Sequence, residues 1–165
     1  MPPVISVVGC SDAGKTTLLE KLIPELRRRG LKVAVIKHDV HGFDLDVPGK
    51  DTWRLGRAGA DVVAISSPDK VAIIERVEVE LSLDTLAERL AGVDLILTEG
   101  YKRGNKPKIE VHRAELGREL LCGPEDNLLA VASDEPVETG VPVFDLNNVA
   151  DLAAFIVERL CLPPS

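Results

Sequence analysis

The sequence predicts an α/β fold in which a mostly parallel sheet carries helices on both faces. Short apolar runs alternate along the chain with amphipathic segments of helical spacing. Hydrophobic residues make up 45% of the 165 residues but aromatic residues only 3%, so the core must be aliphatic and β-branched, as in a parallel sheet covered by helices. A glycine-containing turn joins the first apolar run to the first amphipathic segment.

The predicted strands are short and apolar, and turn-forming residues bound several of them. They cover residues 4–8, 31–36, 61–66, 71–79, 93–97, 108–112, 128–132 and 141–144. The turn Ser67-Pro68-Asp69 ends the third strand, and the run at 71–79 is expected to be an edge or hairpin strand.

The predicted helices cover residues 16–29, 51–58, 83–90 and 148–160. Arginines at 27–29 favour the negative end of the first helix, and Gly30 terminates it. Pro24 is expected to kink this helix, and Ser82 to cap the third one. The length fits one nucleotide-binding domain over residues 1–165.

The formal net charge of −7 argues against nucleic acids and anionic membranes as partners, because both attract a positive field. An anionic ligand remains compatible, since a phosphate site needs only local positive groups. Cys10, Cys122 and Cys161 are far apart and form no CxxC pair, which argues against structural zinc and fits a reducing compartment. The first residues contain no basic leader and no run long enough for a membrane span, so we expect a cytoplasmic protein.

The strongest motif is Gly-Cys-Ser-Asp-Ala-Gly-Lys-Thr at residues 9–16, which matches GxxxxGK[ST] without a mismatch. A strand precedes it and a helix follows, as the mechanism requires. Gly9 and Gly14 let the backbone form a nest of N–H groups that binds phosphate, and the helix adds about half a positive charge at its N-terminus. The sequence therefore predicts a P-loop protein that binds a nucleoside triphosphate.

Within this loop, Lys15 is expected to reach the β- and γ-phosphates, Thr16 to bind Mg²⁺ and Thr17 to contact the α-phosphate side. Asp12 is expected to face solvent, because a carboxylate near phosphates is otherwise unfavourable, and Cys10 to be a small filler. The loop positions assigned to the nucleotide are Gly9, Asp12, Ala13, Gly14, Lys15, Thr16 and Thr17.

Glu99 is the candidate acid on the Mg²⁺ side of the site. It stands at the end of the apolar run 93–97, and Gly100 after it leaves backbone room for a ligand. The alternative is an exposed loop acid. Asp94 comes before this strand and is interpreted as a turn residue at its other end.

A polar loop at 37–54 follows the second strand, at the sheet edge where ligands bind in open α/β folds. His38, Asp39 and His41 lie close enough in sequence to bind a metal. A solvated loop without a ligand explains the same residues.

Several motifs follow one another along the chain in a specific order. They are the P-loop with Thr16 and Thr17, the runs 37–39 and 43–51, Arg-Ala-Gly-Ala at 57–60, Thr-Glu-Gly-Tyr-Lys at 98–102 and Pro-Lys-Ile-Glu at 107–110. Together they resemble the family of molybdopterin-guanine dinucleotide biosynthesis adaptor proteins (MobB), over about residues 3–160. The runs 46–51 and 99–102 are the most specific parts. Leu55-Gly56 departs from the more polar pair of the family pattern, which puts contacts at that turn in doubt.

The resemblance implies a GTP-binding protein that assists the guanylyltransferase joining GMP to molybdopterin. It further implies slow GTPase activity, GTP and Mg²⁺ as ligands, a homodimer, and the molybdopterin cofactor as a further candidate ligand. By position, Lys37 and Asp39 would lie near the γ-phosphate, with Asp39 orienting the attacking water. Asp46, Gly49, Lys50 and Arg54 match the family loop and are candidates for contacting the partner or the molybdopterin.

Guanine recognition has no Asn-Lys-x-Asp motif to support it. Asp134 follows the strand at 128–132, where such a motif would fall, and is the candidate for contacting the base. The alternative is a strand-end turn.

Two other functions remain open. A P-loop small-molecule kinase would need lid arginines, for which the candidates are Arg103, Arg113 and Arg118. An interaction module would use a basic patch, or the same residues are merely solvated charges; they are Arg54, Arg57, Lys102, Arg103, Lys106 and Lys108. The segment 106–121 is a candidate edge hairpin for the dimer surface.

Overall fold

The computed structural model describes residues 1–160 and divides into two compact units. The first comprises Met1–His38 and the chain from Leu86 onward, and the second is Asp39–Thr85. Whether they form one domain remains a prediction, and Cys161 lies outside the described residues.

The strands, in chain order, are β1 (Val4–Val8), β2 (Val33–Lys37), β3 (Val62–Ser66), β4 (Val71–Glu75), β5 (Leu95–Glu99), β6 (Lys108–His112), β7 (Leu128–Ser133) and β8 (Val143–Asp145). The helices are α1 (Lys15–Arg28), α2 (Asp51–Arg57), α3 (Leu83–Arg89) and α4 (Val149–Arg159). Short 3₁₀ helices occur at Ala114–Leu116 and Pro124–Asp126.

The first unit contains a six-stranded sheet of order β2-β5-β1-β6-β7-β8. Every strand pairing in it is parallel. The α/β prediction with a mostly parallel sheet is thus confirmed. Because β1 lies between β5 and β6, the loop after β1 emerges beside the ends of two neighbouring strands, where ligands bind in such sheets.

Helices α1 and α4 pack on one face of this sheet. Their apolar side chains, among them Leu22 and Leu152, join Ile5, Leu97 and Ile109 from the strands in one buried aliphatic cluster. Pro24 lies inside α1, and the last turn of this helix bears arginines, as the dipole favours.

The other face near β6 and β7 carries Val8, Leu128 and Val131, which pack with Cys122. Lys108 and Glu110 are also buried on this face, each 2% exposed. Lys108 is therefore not part of a surface patch, which corrects the sequence-based assignment.

The edge-hairpin prediction for 106–121 is also wrong, because β6 is an interior strand, parallel to both β1 and β7. Backbone groups from the segments before and after β6 instead satisfy its buried polar side chains. The Glu110 carboxylate accepts the backbone N–H groups of Leu121 and Cys122, at 2.6 and 2.9 Å.

In the second unit, β3 and β4 form an antiparallel hairpin, which confirms the hairpin prediction. Several of its large apolar side chains are exposed, including Val62, Ile65, Val71 and Ile73. Ser82 accepts the backbone N–H of Thr85 at 3.1 Å, as expected for a helix cap.

Several element boundaries differ from the predicted ones by one or two residues, and β4 ends at Glu75, four residues before the predicted end at Val79. Leu31 closes the end of α1 by donating its N–H to Leu26, so β2 begins only at Val33. Asp94 lies in the turn before β5, as interpreted, and its carboxylate accepts the N–H of Lys32 at 2.7 Å. Across the described residues, no helix combines the length and apolar character that crossing a membrane would need.

Candidate nucleotide-binding site

The glycine-rich loop lies between β1 and α1, as its motif predicts. Gly9 has a φ of +148°, and a Cβ built on it would lie 2.6 Å from the carbonyl oxygen of Val111. Only glycine fits this close approach of the loop to β6. The sheet thereby fixes where the loop begins.

The rest of the loop turns through left-handed backbone at Asp12 and Gly14, with φ of +63° and +92°. Asp12 is exposed, as expected, whereas Ala13 is fully buried. Gly14 is the residue before α1, whose helical N–H groups begin at Lys15. This arrangement aims the N-terminus of a 14-residue helix at the loop.

The Lys15 ammonium donates to the carbonyl oxygens of Gly9 and Cys10, at 3.3 and 2.7 Å. Its side chain thus curls over the loop. Burial lowers the pKa of Lys15 from its ordinary value, and the nearby positive charge of Lys102 lowers it further. An anion at this position would relieve the repulsion between the two lysines.

Thr16 and Glu99 meet across the site, although 83 residues separate them in sequence. The Thr16 hydroxyl donates to the Glu99 carboxylate at 2.9 Å, and the ammonium of Lys37 lies 4.0 Å from its other oxygen. β5 lies between β1 and β2 and brings the three together. Thr17 is exposed beside them.

An aromatic contact that the sequence did not suggest adjoins Glu99. The rings of His38 and Tyr101 stack with centroids 4.4 Å apart. A Cβ on Gly100 would lie 3.2 Å from that of His38, which keeps this turn tight. The alternation of strand residues gave no signal for a contact between two strand ends.

Arg113 follows β6 and contacts the phosphate loop through a backbone carbonyl. Its Nε donates to the carbonyl of Ala13 at 3.1 Å, and a guanidinium nitrogen lies 3.6 Å from the Asp134 carboxylate. Asp134 also accepts the N–H of Ala114 at 2.9 Å. The sequence alone suggests Arg113 only as a candidate lid arginine of a kinase. Its position directly after β6, the strand next to β1, is the signal that points to the phosphate loop.

Several further candidates belong to the second unit. The Asp39 carboxylate accepts the N–H of His41 at 2.9 Å, and Asp46 accepts the hydroxyl of Thr52 at the same distance. Arg54 lies 3.8 Å from Asp51 and is exposed. Among residues 1–160, no group of three or more His, Cys, Asp or Glu side chains is placed to hold a metal, so the metal alternative gains no support.

Known proteins resemble this chain closely enough to show its family. The family model for molybdopterin guanine dinucleotide synthesis protein B (MobB) matches residues 4–134. This span contains both the loop and Glu99. The chain belongs to the MobB family.

Curated relatives agree over nearly the whole chain. The molybdopterin-guanine dinucleotide biosynthesis adapter protein of Haemophilus influenzae is 41% identical over 158 residues, covering 93% of this chain and 87% of the relative. The adapter protein of Escherichia coli is 41% identical over 165 residues, covering 96% and 93%.

A crystal structure of molybdopterin-guanine biosynthesis protein B superposes with a TM-score of 0.75 at 37% identity, over 96% of this chain and 99% of that one. The MobB fold and the P-loop NTPase-like α/β architecture predicted from the sequence are thereby confirmed.

Proposed function

We propose that this MobB-family chain is a GTP-binding adaptor with slow GTPase activity, which assists the guanylyltransferase that forms molybdopterin guanine dinucleotide. The contact of 2.9 Å between Thr16 and Glu99, set beside a complete phosphate loop, is the observation that carries the nucleotide part. The printed names of the relatives support the adaptor part.

The phosphate loop fits a triphosphate. Gly9 and Gly14 give it the left-handed or closely packed backbone of an anion-binding nest, and α1 adds its N-terminal dipole. Lys15 already lies over the loop and would exchange its carbonyl partners for phosphate oxygens. Thr17, next along α1, is the proposed contact on the α-phosphate side.

Mg²⁺ fits the oxygen atoms of Thr16 and Glu99, which are hard ligands of the kind this ion prefers. When bound, the ion would neutralise charge on the phosphate oxygens. Lys37, on the far side of Glu99, would hold that carboxylate in place and add positive charge near the terminal phosphate.

Slow hydrolysis is proposed because little else in the described site has a catalytic character. Asp39 is the candidate for orienting water, and this role stays a prediction. Arg113, one of the three arginines that a kinase lid would use, is engaged with the carbonyl of Ala13. We therefore favour the adaptor over the kinase.

The sequence suggests Asp134, directly after β7, as the candidate residue for guanine selectivity. If Asp134 contacts the base, replacing it with Ala should weaken GTP binding much more than ATP binding. Equal losses for the two nucleotides would contradict a role in contacting the base.

A homodimer is proposed as the working form in the cytoplasm, with the second unit as the contacting surface. Val62, Val71 and Ile73 are exposed on one face of the β3–β4 hairpin, which supports an interface, because soluble monomers rarely expose a contiguous apolar patch. Mass determination by light scattering tests the dimer. A monomer at micromolar concentration would contradict it.

The function is tested by titrating the protein with GTP and ATP in Mg²⁺, with Lys15→Ala as the control variant. We expect GTP to bind at least tenfold more tightly than ATP, a difference of about 1.4 kcal/mol. Equal affinities for GTP and ATP would instead favour the small-molecule kinase. In a second experiment, wild-type protein should raise the amount of molybdopterin guanine dinucleotide that the guanylyltransferase forms, and Lys15→Ala should not.

A further inference from the structure

Arg113 contacts the phosphate loop, but it has no role in the nucleotide binding proposed above. The Nε of this side chain donates to the carbonyl of Ala13 at 3.1 Å. A Cβ on Gly14 would lie 3.1 Å from one of its terminal nitrogens, so the guanidinium also lies against the last turn of the loop. Its side chain is 31% exposed, which leaves it within reach of solvent but held on one side.

The guanidinium is itself held by the end of the neighbouring strand β7. One terminal nitrogen lies 3.6 Å from Oδ2 of Asp134, while Oδ1 of the same carboxylate accepts the backbone N–H of Ala114 at 2.9 Å. Asp134 is thus tied to the backbone just after Arg113. The two side chains form a fixed link from β7 to the phosphate loop.

We propose that Arg113 is a positioning residue that holds the phosphate loop in its anion-binding conformation, and that Asp134 serves the loop by fixing Arg113. This inference rests on the proposed binding of a nucleoside triphosphate at residues 9–17. It gives Asp134 a role toward the phosphates in place of the base.

The backbone geometry explains why this contact matters. A nest binds an anion when successive N–H groups point inward, and the carbonyls between them then point outward. The outward carbonyl of Ala13 is the one that Arg113 holds. The guanidinium also brings a permanent positive charge against the loop, and this charge favours phosphate without contacting it.

The two roles of Asp134 predict different responses to ligands that lack a base. If Asp134 acts through Arg113, Asp134→Asn should weaken GTP, ATP and inorganic tripolyphosphate by a similar factor. If Asp134 contacts guanine, the same variant should weaken GTP and leave tripolyphosphate unchanged.

The experiment measures the affinities of GTP, ATP and tripolyphosphate by calorimetry, with Mg²⁺, for wild type, Arg113→Met, Arg113→Lys, Asp134→Asn and the variant carrying both Arg113→Met and Asp134→Asn. Arg113→Met should weaken all three ligands by about 10- to 100-fold, the loss expected for one charge-assisted hydrogen bond. Arg113→Lys should recover part of the loss. The double variant should lose no more than Arg113→Met alone, because the two residues act in series.

Arg159→Met, on the exposed end of α4, is the control for loss of one positive charge. Thermal unfolding of each variant separates misfolding from a local effect. If Arg113→Met does not fold, the milder Asp134→Asn still decides between the two roles through tripolyphosphate.

The outcomes separate this inference from the proposed function. Wild-type affinity in Arg113→Met, or a loss in Asp134→Asn confined to GTP, would overturn the positioning role while GTP binding stands. If wild type binds neither GTP nor tripolyphosphate, or Lys15→Ala binds as well as wild type, both proposals fail together.

Discussion

Replacement of Lys108 by Met isolates the contribution of a buried charge to the stability of the sheet. Lys108 begins β6 and is 2% exposed. Its ammonium donates to the carbonyl oxygens of Gly104 and Asp126, both at 2.6 Å. Met is an unbranched side chain of similar volume, one atom shorter than Lys and without a donor, so both carbonyls lose their partner.

The magnitude follows from these contacts. Each hydrogen bond from a charged group contributes about 1.5–3 kcal/mol. Part of that sum is offset, because the methionine needs no desolvation, whereas the ammonium does. We expect a net loss of about 3 kcal/mol in the free energy of unfolding. For a chain of this size such a loss lowers Tm by about 6–12 °C.

Urea and thermal unfolding followed by circular dichroism measure the effect. Lys32→Met is the matched control, because Lys32 is exposed and forms hydrogen bonds through its backbone: the N–H donates to the Asp94 carboxylate, and the carbonyl accepts the N–H groups of Asp94 and Leu95. A loss below 1 kcal/mol for Lys108→Met, equal to that of the control, would refute the structural role. If Lys108→Met no longer stimulated the guanylyltransferase but kept its free energy of unfolding, Lys108 would instead belong to the basic surface patch.

Three further outcomes are expected. Gly9→Ala places a Cβ 2.6 Å from the Val111 carbonyl oxygen, so it should weaken GTP binding strongly and destabilise the fold. Its control is Gly117→Ala, whose Cβ meets open space and which costs about 1 kcal/mol of backbone strain. Equal unfolding curves for the two variants would contradict this expectation. Glu99→Gln should weaken GTP about tenfold in Mg²⁺ and little in EDTA, where the carboxylate has no ion to neutralise; equal losses in both titrations would argue against a metal-side role. Burial, with the nearby Glu110 carboxylate second, raises the pKa of Cys122 to about 11, so alkylation mapped by mass spectrometry should be negligible at pH 8 and rise about tenfold per pH unit toward 11, because only the thiolate reacts. Rapid labelling of Cys122 in the native protein at pH 8 would count against that shift.

Local patterns predicted most of the fold. Predicting β1 and the phosphate loop needs only neighbouring residues, because the strand, the loop and α1 follow one another along the chain. The start of β2 was placed too early because Leu31 is apolar, yet its N–H completes the end of α1. Sequence periodicity cannot show which of two elements uses a boundary residue.

The polar side chains of β6 show where prediction from one sequence fails. Alternation of Lys108, Ile109 and Glu110 is typical of a strand with one wet face, but both faces are buried. The partners that make this burial tolerable are backbone groups of Gly104, Asp126 and the segment after Gly117, which no local pattern connects with β6.

The candidate site divides in the same way. The glycines, Lys15 and Thr16 form one contiguous motif, and Glu99 was found because strand ends collect at one edge. The link between Arg113 and Ala13 spans 100 residues and depends on strand order, which the sequence did not provide.

The position of β1 between β5 and β6 has a consequence for synthesis on the ribosome. The contact between Ser6 and Thr98 spans 92 residues, and Ser6 also pairs in register with Lys108. At about 5–20 residues per second, the amino-terminal strand waits for about 5–20 s before its neighbours have been translated. The phosphate loop is thus made early but gains its supports late, and for that interval the nascent chain exposes an unpaired apolar strand that a chaperone could protect.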